Sequence, residues 1–281
     1  MNQSGAGGSR IVRRHRDLIL GLVVVAAVFA GFAALSMGGY PGGPDECLAL
    51  GDCYCEAPRG GMAEQPANAW SNLGFVIVGL LVLADTARRR SPSAARMEAD
   101  LRYPRLYGSV AIFLGAGSFA FHGSLKAWGG FIDVQSMHAF IGFIIAYDLA
   151  RIHDWSWGRF VGWFAALLAV FSVLIGLLPP EHGKTMFGVV VAFTLLLEAA
   201  VSYPRFRPWA PRPIHPRRMP WFWAGLGSFA VAFGVWTVSR TDGPWCDPHS
   251  LLQGHALWHL LTAVSVWCFY RYFRAETKVQ H

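Results

Sequence analysis

The chain has 281 residues, 54% of them hydrophobic and 15% charged, with a net charge of +7 and a mean hydropathy of +0.35. A soluble domain carries about a quarter charged residues and a disordered polymer lacks this apolar content, so both classes are excluded. The 24 Lys and Arg sit between apolar blocks and form no stripe interleaved with aromatics, which argues against a nucleic-acid partner.

Apolar blocks run over residues 18–37, 69–86, 106–125, 131–150, 160–178, 185–203, 221–239 and 252–272. Each is close to the ~20 residues that a helix needs to cross a hydrocarbon core. The chain therefore reads as an all-α polytopic membrane bundle with four parts. These are a basic tail (1–17), an extra N-terminal helix (18–37), a seven-helix domain (38–272) and a short C-terminal tail (273–281). The first block follows Arg13, Arg14 and Arg16 and ends in small residues, so it is either a retained helix or a cleaved secretory signal. Either way the downstream topology is the same. Summed over alternate sides of the spans, Lys and Arg number 20 against 4. The positive-inside bias predicts cytoplasmic termini and external loops after the first, third, fifth and seventh spans. The Pro-rich stretch 204–220 then reads as a solvated cytoplasmic loop.

This orientation gathers polar residues at the external end. Ser118 and His122 lie one turn apart at the end of the third span, Asp133 opens the fourth after a short turn, and His255 and His259 begin the eighth. Residues at i and i+4 share a helix face, so His255 and His259 can offer two imidazoles to one ion and His122 a third. Three His ligands with an open water position make a catalytic zinc site. Asp85, Asp148 and Glu198 lie near the cytoplasmic ends of their spans, within reach of headgroup water, and read as structural. His138 lies about 140° around the helix from Asp133 and is left out of the ligand set.

Cys47, Cys53, Cys55 and Cys246 all fall in external loops, and Cys268 lies in a span. In an oxidising compartment four thiols point to disulfides rather than to a cysteine zinc site. A bridge from Cys246 to Cys53 or Cys55 would clamp the first external loop beside the last span.

Several motifs together resemble the alkaline ceramidases, in particular their bacterial branch. They are Tyr54-Cys55-Glu56, the run Gln65-Pro-Ala-Asn-Ala-Trp-Ser-Asn72, Gly117-Ser-Phe-Ala-Phe-His122, Asp133 eleven residues later, and His255-Ala-Leu-Trp-His259. The resemblance runs from about Cys53 to Ala263. It implies a seven-helix intramembrane zinc amidohydrolase that cleaves the N-acyl bond of ceramide into a sphingoid base and a fatty acid. The setting implied is a bacterial inner membrane with the active site toward the non-cytoplasmic face, and the helix at 18–37 is an addition. By the same resemblance zinc sits on His122, His255 and His259, Asp133 is the general base and Ser118 lies beside the reacting carbonyl. Asn68, Ser71 and Asn72 match the family too and read as helix-capping or ligand-supporting residues. The rival reading is a receptor or lipid-remodelling protein on the same zinc scaffold. Ser118 and Asp133 favour the enzyme, since a structural zinc requires neither.

The resemblance also implies calcium, held by acidic and carbonyl ligands in the loop before the first core helix. Here the chain departs from the family: Glu56 is kept, but Cys53 stands at an Asp position, Pro58 at an Asn and Gln65 at a second Glu. Calcium wants six to eight oxygens and binds more tightly as ligand charge rises. The expectation is an activity that survives calcium chelation but not zinc chelation, unless Asp52 and Glu64 swing in.

Overall fold

The structure, a computed structural model, describes residues 15–88, 95–178, 183–202 and 219–275. The basic N-terminal tail, most of the loop at 204–220 and the last C-terminal residues lie outside them. Every predicted span is helical. The helices are α1 (Arg16–Met37), α2 (Glu46–Leu50), α3 (Pro66–Ser71), α4 (Leu73–Asp85), α5 (Arg96–Ala99), α6 (Arg102–Ser124), α7 (Ala127–His153), α8 (Trp157–Leu177), α9 (Gly183–Ser202), α10 (Met219–Val238) and α11 (Gly254–Arg274). The described residues contain no strand. Among the described residues, six segments are long and apolar enough to cross a membrane by themselves: α1, α3 with α4, α6, α7, α8 and α10. The apolar stretch of α9 is shorter, Thr185–Val201, and α11 is diluted by His255, His259, Arg271 and Arg274. The protein is an all-α, multi-pass membrane bundle.

Burial ranks the helices: 78% of the apolar window of α6 is buried against 6% for α1, so α6 is the axis and α1 lies at the edge. Around α6 pack rings with no exposed surface, among them Tyr107, Phe143, Tyr147, Phe160 and Tyr270. Lipid tails are as apolar as these side chains, so association relies on close backbone approach through small residues. At Gly117 a Cβ would meet Ser136 Cβ and Oγ of α7 at 2.8 Å. At Gly129 it would stand 2.7 Å from the Ala120 carbonyl oxygen.

α6 and α7 are joined by Leu125, in the left-handed region at φ 48°, and the extended Lys126. The start of α7 differs from the sequence expectation. The fourth span is expected to open at Asp133 after a short turn, yet the helix begins at Ala127 and includes Gly129 and Gly130. Packing against α6 overrides the poor helix propensity of the two glycines.

The loops 38–65 and 239–253 close one end of the bundle over each other. Cys55 is bonded to Cys246 and Cys47 to Cys53. Ala57 N–H donates to Pro248 O at 3.0 Å, and the Arg59 guanidinium donates to the carbonyls of His249 and Ser250. Of the two bridges left open for Cys246 by the sequence, the structure has the one to Cys55. Loops 38–65 also pair with the α6–α7 turn, with Asp45 N–H donating to Leu125 O at 2.9 Å.

The opposite end holds the acidic residues read as water-facing, and here the reading is corrected. Asp85, Asp148 and Glu198 are 5%, 0% and 4% exposed, and each meets a partner within the bundle. Arg274 bridges Asp85 and Glu98, Tyr270 donates to Asp85 at 2.6 Å, Tyr272 donates to Glu198, and Arg151 lies 3.7 Å from Asp148. Arg274, Tyr270 and Tyr272 of α11 reach inward to Asp85 and Glu198, which spacing within one span does not reveal, whereas Arg151 meets Asp148 from one turn on along α7.

Candidate metal centre

Beneath the capped end, α6 contributes His122 and α11 contributes His255 and His259. All three are buried, and each offers a nitrogen lying within 4.8 Å of the other two. His122 Nε2 and His255 Nε2 approach to 3.1 Å, and the His255 and His259 rings meet at 4.4 Å between centroids.

The surrounding bonds fix which nitrogens face inward. Gln65 Nε2 lies 2.5 Å from Cys53 O and 2.6 Å from Glu56 O. Carbonyls only accept, so that atom is the amide nitrogen, and Gln65 Oε1 is the acceptor 2.7 Å from His122 Nδ1. His122 therefore carries its proton on Nδ1. His259 Nδ1 lies 3.1 Å from Asn68 O, again a pure acceptor, and 2.8 Å from Ser71 Oγ. Both rings turn a bare Nε2 toward the centre. His255 Nδ1 has no partner among the described residues. Two inward imidazole lone pairs meeting a third imidazole in a buried space fit a transition-metal cation, as do three His side chains in number and kind. Among the described residues these three form the group of metal-ligating side chains close enough to share one ion.

Beside the histidines, the Ser118 side chain of α6 faces the Asp133 carboxylate of α7 within reach of a hydrogen bond. The close approach at Gly117 makes this contact possible. Tyr54 stacks on His255 at 4.2 Å and meets His122 edge-on at 5.6 Å. Burial pushes its phenol well above the ordinary range, and the charges of Asp133, Asp52 and Asp45 push it further, so it stays protonated. Tyr54 and Cys55 hold left-handed backbone at φ 63° and 68°. That conformation costs a bulky L residue about 1–2 kcal/mol and needs outside support.

Sequence spacing brings out the histidines, Ser118 and Asp133, but not Tyr54 or Gln65 as their neighbours. A weak signal exists for Gln65, since Pro66 just after it marks a helix start three residues before the predicted span. Ser71 fulfils its supporting expectation through His259. Glu56, kept from the calcium motif, has another use: its two carboxylate oxygens accept from Ala67 N–H at 2.9 Å and Asn68 N–H at 2.8 Å, capping α3. Glu64 turns to Gly60 N–H at 3.1 Å.

No curated protein matches the sequence. The sequence profile of the ceramidase family matches residues 61–281, spanning Gln65, Ser118, His122, Asp133, His255 and His259. A match over so much of the chain, on a helical membrane bundle with three converging histidines, shows that this protein belongs to the ceramidases, the amidohydrolases that act on the amide bond of ceramide.

Proposed function

We propose that the protein is a zinc-dependent hydrolase of ceramide-like N-acyl sphingoid lipids, releasing a sphingoid base and a free fatty acid at the non-cytoplasmic face. The observation that carries this reading is the joint placement of three inward imidazoles and the Ser118–Asp133 pair. A receptor or a remodelling protein on the same scaffold would need the metal but not that pair. The 20 against 4 count of Lys and Arg supports an external site, and so do disulfides in the capping loops.

His122, His255 and His259 would hold the zinc. When bound, it supplies a Lewis acid that makes water acidic near neutral pH and polarises a carbonyl. Asp133 takes the proton of the attacking water and passes it to the nitrogen of the breaking amide, which leaves as an amine. Ser118, beside Asp133, donates to the carbonyl oxygen as negative charge develops. Gln65 and Ser71 keep His122 and His259 oriented.

Calcium is not required in this reading. The carbonyls of Cys53 and Glu56 are bonded by Gln65 Nε2, and the Glu56 carboxylate is engaged in capping α3. The test is mass spectrometry of products from a panel of N-acyl lipids, with and without chelators. Sphingoid base should appear from ceramide, vanish with a zinc chelator and survive a calcium-selective one. Absence of cleavage across the panel by zinc-loaded protein would exclude the hydrolase reading.

A further inference from the structure

We propose that Gln65 is a positioning residue acting on two parts of the centre at once. Its oxygen sets the tautomer of His122, and its nitrogen holds the turn that lays Tyr54 on His255. The assignment rests on the metal-dependent reading of the histidines.

Gln65 has no exposed surface. Besides the bond from His122 Nδ1, its backbone N–H donates to the His122 carbonyl at 2.9 Å, so the two residues are joined twice. The two carbonyls that bind its Nε2, on Cys53 and Glu56, bracket Tyr54 and Cys55, the consecutive left-handed residues. The turn has two further ties, the bridge from Cys55 to Cys246 and the Thr241 hydroxyl accepting from Cys55 N–H at 3.2 Å. A glutamine just before a helix would ordinarily serve that helix's free amides. Glu56 already does so, which releases the Gln65 side chain to face the centre.

The two roles need opposite chemistry. His122 requires an acceptor and the turn requires a donor, and a carboxamide offers both on separate atoms without a charge. Substitutions therefore separate them. Gln65→Met keeps length and removes both functions. Gln65→Glu keeps an acceptor for His122 but sets a second acceptor against two carbonyls.

The experiment uses full-length purified protein with three readouts: zinc affinity by chelator competition, the absorption spectrum of the cobalt-substituted protein, and the rate at which a thiol reductant opens Cys55–Cys246. Gln65→Met should bind zinc about 10- to 100-fold more weakly and shift the cobalt bands. Gln65→Glu should keep zinc affinity close to wild type. In both variants the disulfide should open faster. Wild-type affinity and spectrum in Gln65→Met overturn the proposal, as does a loss in Gln65→Glu as deep as in Gln65→Met, or an unchanged reduction rate in Gln65→Glu. If Gln65→Met does not accumulate, Gln65→Glu decides alone: tight zinc with a fast-opening disulfide supports the assignment, and any other pairing overturns it. Failure of the wild-type protein itself to take up zinc or cobalt is a different result, and it overturns the metal reading together with this one.

Discussion

Both ends of the bundle bury polar side chains, but they resolve the cost differently. At the end opposite the cap, Asp85 and Glu98 share Arg274, Tyr270 adds a donor to Asp85, and Tyr272 donates to Glu198. Charges and hydrogen bonds there are met from within the chain, as architecture demands in a medium of low dielectric. At the capped end His122 and His259 have their Nδ1 atoms satisfied and their Nε2 atoms turned on a common point. A paired network holds helices together; an acceptor-rich one is arranged for something brought from outside.

The sharpest break in this comparison is expected at Asp133. Replacing it with Asn should leave zinc content unchanged and lower ceramide turnover about 10²- to 10⁴-fold, because an amide cannot accept the water proton. Metal analysis beside a turnover assay checks this, and normal turnover would return the chain to the receptor reading.

At the other end, Arg274→Met should destabilise the bundle by about 3 kcal/mol, since it removes the cation that Asp85 and Glu98 share. Thermal unfolding in detergent would show the loss, while folded protein keeps its metal. The Asp85→Asn, Arg274→Met double variant should recover much of it. If Arg274→Met instead empties the metal centre, the two ends are coupled.

Ser118→Ala should reduce turnover roughly 10- to 1000-fold as the loss of an oxyanion donor, with zinc content and substrate binding kept. A loss of metal would make Ser118 a packing residue.

The smallest effect belongs to the exposed Asp100–Arg102 pair. The Arg102 hydrogen bond holds the Asp100 carboxyl below its ordinary value. Its folded value thus lies below its unfolded one, and its contribution is full above about pH 4 and fades as pH falls through the folded value. Asp100→Asn should cost no more than about 1 kcal/mol at neutral pH, and the difference from wild type should disappear in acid unfolding curves.

Much of this was legible because hydrophobic periodicity and i, i+4 spacing are local. The eight helices and the pairing of His255 with His259 follow from them, and the charge count set His122 at the same depth. The remaining features depend on contacts between distant segments. Gln65 meets His122 across 57 residues, and Tyr54 reaches His255 through a strained turn that no propensity favours. Asp133 reads as the opening of its span after a short turn, whereas in the bundle α7 already starts at Ala127 and its glycines let it press against α6.

The split of the histidines between α6 and α11 orders the events of biosynthesis. Chains are made from the N-terminus, so α6 with His122 is synthesised well before α11 brings His255 and His259, and Cys246, just ahead of α11, secures the first loop from far along the sequence. Until α11 has been inserted, the growing chain has His122 without the two imidazoles that complete the group. On the zinc-dependent reading, chains that stop before α11 should be catalytically silent.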